Sequence, residues 1–551
     1  MELGRRCGIL MHISSLPSPF GIGDLGPGAR EFAGFLAEAG QGVWQTLPLG
    51  PTRLEYGNSP YSGLSAFAGN SILISPRLLA DRGLVSTRDL RRCARDACGL
   101  PAPGARGARV RGRPGTIPVP GGARSRVRYA RVYRAKDRLL DRAFREALPG
   151  LQRDREYLRF CSEHRSWLED YALFEALSRE QGRPWHRWPP GLRDRGITPG
   201  RAQAEEPVRD QGEGPEPACG DELQRARERL GTEVERERFY QYLFHRQWAA
   251  LRERCRRLGV LLAGDVPVYV NHDSSDVWSH RDLFNLDGEG RPLTVSGVPP
   301  DYYSETGQLW NNPIFRWDRL RETGYAWWVR RMQHNLLLFD WVRIDHFRGF
   351  AAFWEVPAGE PTAENGRWTP GPGEDFFAAL EKSFPGLPFI AEDLGVITGD
   401  VTALRRRFGL PGMRVIQFGF GGDGDYHLPH AYGPGYVAYT GTHDNQTLVG
   451  WLRAGGDRRE RRRALRYVGG SPLLKRRARW RFFRALMMSP AGWVVLPLQD
   501  VLGLGERARM NDPATAAGNW EWRLVPGALK PRHARRLAGL AELYGRSPRP
   551  G

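Results

Sequence analysis

The sequence predicts an α/β fold, a (β/α)8 TIM barrel with helical and loop insertions and no C-terminal β-sandwich. Three observations predict it. Eight short apolar runs, rich in β-branched and aromatic residues, recur along the 551-residue chain and read as strands. Most gaps between them carry helical periodicity, and strand–helix alternation repeated eight times makes a parallel barrel. Three of the runs end in an acidic residue and open into Gly, His or Asn. Acids at the C-terminal ends of several strands are how a barrel builds an active site.

The strand runs are 8–14, 43–49, 260–270, 340–344, 388–391, 413–418, 437–440 and 493–498. Helical patterns lie between them. That at 31–39 keeps its apolar residues on one face and ends at Gly40, and 376–382 is another. The gap between the second and third runs is far too long for one crossover helix. It carries helical patterns at 129–147 and 236–257 and two Gly/Pro/Arg-rich stretches, 100–124 and 189–216, that read as flexible insertions. The expected organisation is one catalytic barrel over 1–551. A mainly helical insertion subdomain over 75–255 lies between strands two and three, and a second insertion over 271–335 carries a substrate-binding loop. After Asp500 too little chain remains for an added sandwich.

Apolar residues make up 40% of the chain, enough for a large core. No run approaches the ~20 apolar residues of a membrane-spanning helix. The stretch 9–13 is broken by His12 and then by Ser and Pro, so it reads as a strand and not as a signal peptide. A cytoplasmic protein with no membrane partner is expected. The formal charge of +19 raises the question of a nucleic-acid partner. The skew within the basic residues answers it. Only Lys136, Lys382, Lys475 and Lys530 are lysine and the rest are arginine, as genome-wide codon bias produces. The densest runs, 458–463 and 475–479, alternate with Glu, Ala and Leu and read as solvated helix faces. No nucleic-acid partner is expected, and the chain is expected to be a monomer or weak oligomer. Cys7, Cys93, Cys98, Cys161, Cys219 and Cys255 have no zinc-ligand spacing, so neither a metal nor a disulfide framework is expected. No P-loop or GxGxxG follows a strand, which leaves nucleotide binding unsupported.

The acids carry the chemistry. Asp345 follows strand four, Glu392 strand five and Asp444 strand seven. Retaining glycoside chemistry needs a nucleophilic carboxylate and an acid/base carboxylic acid roughly 5–5.5 Å apart. Arg343 lies two residues before Asp345, so on a strand both face the same way. A cation there holds Asp345 ionised and aimed, as a nucleophile requires. Glu392 is flanked by Ala391 and Asp393, and a neighbouring negative charge keeps its proton on, as an acid requires. His443 precedes Asp444. Such a pair binds sugar hydroxyls while the carboxylate offsets oxocarbenium charge. One acid at a strand end is more often a turn former or helix cap. Three in barrel order, each beside a His, Arg or second acid, point to an enzyme that cleaves or transfers sugars. Aromatic residues, 11% of the chain, suit the apolar faces of sugars. The stretch 297–313 has too many turn residues for helix or strand and reads as a sugar-binding loop, and 56–61 has a similar make-up.

These segments together resemble the 4-α-glucanotransferases called amylomaltases or disproportionating enzymes, glycoside hydrolase family 77. The motifs run in order through 8–17, 57–61, 241–244, Gln247-Trp248, 264–270, 273–278, 297–301 and 306–310. They continue through Arg343-Ile-Asp-His-Phe-Arg-Gly349, Ala391-Glu-Asp-Leu-Gly395, Gly441-Thr-His-Asp-Asn445, 497–503 and Arg509-Met-Asn511. The resemblance implies that Asp345 is the nucleophile, Glu392 the general acid/base and Asp444 the transition-state stabiliser. It implies that Arg343 and His443 contact the sugar at the cleavage point, that Asp265 is the family's acid on strand three, and that Tyr61, Tyr302, Gln308 and Trp310 bind donor or acceptor. The implied partners are maltooligosaccharides, α-1,4-glucans and glucose as acceptor, with no cofactor. Two departures stand out. Asn311 occupies a position that is usually glycine and is expected in the left-handed region, which Asn tolerates. Ala514 follows Pro513 where the family often has glycine. An α-amylase-like hydrolase is the nearest alternative, and a catalytically inactive basic binding protein the remote one.

Overall fold

The structure, a computed structural model, describes residues 3–100, 125–195, 219–300, 304–422, 424–470 and 475–548. In chain order its strands are β1 Arg6–Leu10, β2 Val43–Gln45, β3 Leu261–Val266, β4 Thr294–Val298, β5 Gln308–Pro313 and β6 Trp341–Ile344. They continue as β7 Ala352–Pro357, β8 Arg367–Pro370, β9 Phe389–Ala391, β10 Gly412–Val415, β11 Tyr436–Tyr439 and β12 Trp493–Pro497. Eight form one parallel sheet in the order β10-β11-β12-β1-β2-β3-β6-β9. The ends of that order meet where the Ala391 N–H donates to the Pro411 carbonyl, 2.8 Å, just before β10. The sheet therefore curls into a (β/α)8 barrel, and its members are the eight runs read from the sequence. Several are shorter than the apolar runs. The third stops at Val266 because Pro267 has no N–H to continue the ladder.

Side chains fill the barrel. Trp341 and Trp493, the first residues of the fourth and eighth barrel strands, meet edge to face across it at 5.3 Å. At the other end of the barrel, Tyr439, the last residue of β11, donates its hydroxyl to Gln45, the last of β2, 2.9 Å. The first barrel helix is Pro27–Glu38, with Pro27 in its first turn, where a missing N–H costs nothing. Gly40, at φ +64°, turns the chain away after it. The Arg546 guanidinium is fully buried and donates to the carbonyls of Arg6, Met487, Ser489, Ala491 and Gly492, tying the far end of the chain to β1 and the approach to β12.

Between β2 and β3 the chain is helical: Pro76–Asp81, Thr87–Cys98, Tyr129–Leu151, Arg155–Glu163, Arg165–Gln181, Cys219–Arg229 and Gly231–Arg257 are the longer helices. The stretch 101–124 and residues 196–218 lie outside the described residues. The motif glutamines on the Gly231–Arg257 helix act on backbone. Gln241 both accepts from the Gly69 N–H, 2.7 Å, and donates to its carbonyl, 2.9 Å. Gln247 accepts from the Ser75 N–H, 2.7 Å.

One expectation is overturned. The stretch 297–313 is not merely a turn-rich loop: its flanks are β4 and β5, paired antiparallel, in a second sheet of order β5-β4-β7-β8. β7 and β8 come from beyond the fourth barrel strand, so the small sheet draws on more chain than 271–335. The strands are short and broken by Gly and Pro, so alternation is weak. Gly297 is required by close approach: a Cβ there would lie 2.6 Å from the Gln308 carbonyl oxygen. Cys7, Cys93, Cys161 and Cys255 are free thiols.

Three imidazoles pack together where the helical region meets the helix Ala326–Leu338. Ring centroids lie 5.1 Å apart for His164 and His245, 5.5 Å for His245 and His334, and 6.0 Å for His164 and His334. Burial lowers all three, and His334 is held to about 3. They are neutral in the fold but titrate near 6.5 when unfolded. Their contribution to stability is thus complete above pH 6.5 and is lost as pH falls. At 1.36 kcal/mol per unit, moving from pH 7 to pH 5 removes about 2 kcal/mol at His334 alone. In denaturant titrations the deficit of His334→Gln relative to the parent is expected to shrink by about that amount over this interval. An unchanged deficit refutes the assignment.

Candidate active site

The site is built on strand ends. β3 and β6 pair in register with Asp265 opposite Arg343. The ladder continues one residue further, where the Asp345 N–H donates to the Val266 carbonyl, 3.0 Å. The Glu392 N–H likewise donates to the Ile344 carbonyl, 3.1 Å. Asp345 and Glu392 are therefore the first residues past two adjacent strands, on the same end of the barrel. Asp444 follows β11 in the turn 440–447.

Arg343 is the electrostatic centre. Its Nη1 lies 2.7 Å and 2.8 Å from the two Asp265 oxygens, and its Nη2 lies 2.9 Å from Asp345 Oδ1. Burial opposes the guanidinium charge, but Asp265 and Asp345 outweigh it and hold its pKa well above the usual value. Burial also pushes Asp265 up, to about 6, against the pull of Arg343. Near neutral pH the pair is charged. The Tyr61 hydroxyl donates to Asp265 Oδ2, 2.8 Å, and its ring stacks on His443 at 5.0 Å with 17° between planes.

Glu392 is the acid of the group that keeps its proton. Its pKa is raised to about 8, first by burial and then by the charge of Asp345, against the opposing pull of Arg343. Its Oε2 accepts from the His346 N–H, 2.8 Å, and its Oε1 from the Leu394 N–H, 3.1 Å. Asp393 is a minor cause, which corrects the sequence reading. Its carboxyl turns away to the Met413 N–H at 2.6 Å, Arg405 at 3.2 Å and Arg414 at 3.5 Å, so its charge is spent on bracing β10.

Asp444 is the opposite case. Burial pushes it up, but His443 and Asn511 outweigh burial and hold it at about 2. His443 Nε2 lies 3.2 Å from Oδ2, and the Asn511 amide donates to Oδ1, 2.7 Å. Arg509 donates to the Asp444 carbonyl, 2.7 Å. The site thus presents one carboxylate paired with arginine, one carboxyl that stays protonated at neutral pH, and one carboxylate ionised at any working pH. Among the described residues no cluster of His, Cys, Asp and Glu can hold a metal ion.

The aromatic wall comes from the second sheet. Trp310 on β5 sets its ring edge-on to His346 at 4.8 Å, and Gln308 accepts from the Trp310 indole N–H, 3.3 Å. Asn311 has φ +61°, as expected for an asparagine at a usual glycine position. Tyr302 lies outside the described residues. Asp345, Glu392, Asp444, Asp265, Arg343, His443 and Tyr61 thus form one constellation, with Gln308 and Trp310 beside it. Three contributors had no assigned role in the sequence reading. His346, at φ +47°, offers Glu392 its N–H. Asn511 holds Asp444. Trp520 packs on Tyr61 at 5.7 Å and His443 at 5.8 Å. For His346 the available signal was its place in the 343–349 motif, and for Asn511 its place in 509–511. Trp520 had none.

Comparison with known proteins agrees with this geometry. Residues 11–528 match the sequence pattern of the family described as 4-alpha-glucanotransferase, glycoside hydrolase family 77. The 4-alpha-glucanotransferase of Thermus thermophilus is 45% identical, over 98% of this chain and 99% of the relative. That of Synechocystis sp. is 43% identical, over 99% of each. Among solved structures, an amylomaltase from Streptococcus agalactiae in complex with acarbose superposes with a TM-score of 0.85 at 32% identity, covering 98% of this chain and all of that one. The chain belongs to the 4-alpha-glucanotransferase family.

Proposed function

We propose that this enzyme moves α-1,4-glucan segments by a double displacement with net retention, and that its three acids divide the work. Asp345 attacks the anomeric carbon of the donor while Glu392 gives its proton to the departing 4-oxygen. A glycosyl ester on Asp345 and a shortened glucan result. The 4-hydroxyl of glucose or another glucan then attacks that ester, Glu392 takes its proton back, and Asp345 leaves as the carboxylate. Asp444 stays ionised throughout and offsets the positive charge that develops on the sugar ring. Arg343 aims Asp345, Asp265 holds Arg343 from behind, and Tyr61 and His443 line the position of the sugar being transferred. No cofactor enters this scheme.

The observation that carries the reading is the division between the carboxyls. Asp345 is paired with a buried arginine, while Glu392, at the end of the adjacent strand, is raised to about 8 by burial and then by the charge of Asp345, despite the pull of the same arginine. Pairs of carboxyls whose environments drive them apart mark nucleophile and acid. Incubation with maltotriose tests it. Glucose together with maltopentaose and longer chains supports transfer. Glucose and maltose alone would mean that water wins and the chain is a hydrolase.

Transfer requires that a sugar reach the intermediate before water does, so the acceptor side must be covered. We assign that cover to the 297–313 segment, which carries Trp310 and Gln308 on β5 and, in sequence between β4 and β5, Tyr302. Tyr302→Ala is expected to raise hydrolysis relative to transfer. The check is the ratio of reducing ends formed to maltopentaose formed, and an unchanged ratio would sink the assignment.

A further inference from the structure

Asp444 differs from the other two acids in how it is placed. Asp345 and Glu392 are held by the barrel ladder itself. Asp444 sits in the middle of the turn 440–447, and its side chain is 41% exposed. Its aim depends on whatever fixes the two ends of that turn.

Both ends are fixed by one buried carboxylate from the next barrel strand. Asp500 lies in the short helix Leu498–Leu502, which directly follows β12, and is 1% exposed. Its Oδ2 accepts from the Thr440 hydroxyl, 2.6 Å, where β11 ends. Its Oδ1 accepts from the Leu448 N–H, 2.7 Å, where the helix Leu448–Ala454 begins. From the opposite side Gln417, just past β10, donates to the Thr440 and Gln446 carbonyls at 2.8 Å and 3.1 Å. The turn is also braced internally, with Asn445 Oδ1 accepting from the Thr442 N–H, 2.8 Å. Strands six and eight thus grip the strand-seven turn from both flanks, and the gripping group on the strand-eight side is anionic.

We propose that Asp500 is a positioning residue for Asp444: by bridging Thr440 and Leu448 it sets the turn that carries the transition-state carboxylate. The inference rests on the role given to Asp444 above. A buried carboxylate accepting two short hydrogen bonds is a stiff clasp, because releasing either donor leaves a polar group unsatisfied. A displacement of about 1 Å at a catalytic group can cost about 10²-fold in rate.

The test is a double-mutant cycle in the full chain, using the activated donor α-maltosyl fluoride with maltose as acceptor, so that slow variants stay measurable. Asp500→Leu, of similar size but unable to accept, is expected to lower kcat about 10²-fold while KM moves far less. Asp500→Asn can still accept from Leu448 and hydrogen-bond Thr440, and is expected to recover most of that loss. In an Asp444→Asn background, Asp500→Leu is expected to cost little more, because the group it positions is gone. Equal losses in both backgrounds, or none in either, would overturn the proposal. If Asp500→Leu does not fold, Thr440→Val opens one end of the clasp and is read in the same cycle. An Asp444→Asn enzyme with undiminished kcat would instead overturn the reading of Asp444, and the clasp's purpose with it.

Discussion

Asp345→Ala is expected to lose at least about 10⁴-fold in kcat on maltotriose while its melting temperature stays close to that of the parent. The loss follows from the mechanism. Without a carboxylate at this position no covalent intermediate forms, and the other groups of a unit that acts together rescue little when one is removed. The intact fold follows from the geometry. Removing a partner from a buried ion pair usually strands a charge. Here Arg343 keeps both oxygens of Asp265 at 2.7 Å and 2.8 Å, so its charge stays compensated. The Asp345 backbone bond to Val266 does not depend on the side chain. Initial rates and a thermal melt check both halves. Turnover near that of the parent would refute the nucleophile assignment, and collapse of the fold would refute the claim that Asp265 suffices for Arg343.

Glu392→Gln is expected to lose about 10²–10⁴-fold on maltotriose, the range that general acid catalysis supplies. The loss should depend on the leaving group. Fluoride departs without a proton, so formation of the intermediate from α-maltosyl fluoride should be nearly spared. In the parent enzyme the acid works only while protonated. With its pKa raised to about 8, first by burial and then by Asp345, activity should hold through neutral pH and fall as pH rises through about 8. The alkaline limb of kcat/KM should vanish in Glu392→Gln. Should that limb persist in the variant, or the fluoride donor lose as much as maltotriose, Glu392 is not the acid.

Every barrel strand was legible in the sequence because a strand buried on both faces is a continuous apolar run, and eight such runs in order have few other solutions. The acids were legible for a related reason: each stands where an apolar run breaks into Gly, His or Asn. The small antiparallel sheet was not legible, since β4, β5, β7 and β8 are short and partly exposed, and each acquires its pairing only from the others. The constellation around the acids was half legible. Arg343 could be placed beside Asp345 by strand alternation alone. Its simultaneous grip on Asp265 could not, because that contact crosses between strands whose register no local pattern states.

The proton on Glu392 shows the same division. Its presence was expected, but the neighbour in sequence, Asp393, is only a minor cause. A side chain one residue along a strand points to the other face, and there Asp393 is engaged by Arg405 and Arg414. What chiefly raises Glu392 is burial and then Asp345, 47 positions earlier in the chain and across one ladder, against the pull of Arg343. The sequence by itself determined the barrel, the order of its acids and the family to which the chain belongs, because these depend on local apolar patterns and short motifs. Only the tertiary structure decided that Arg343 also grips Asp265, that burial and Asp345 are what chiefly keep the proton on Glu392, and that Asn511 joins His443 in holding Asp444 ionised. Burial and charge act through space, and neither can be read from what lies adjacent along the chain.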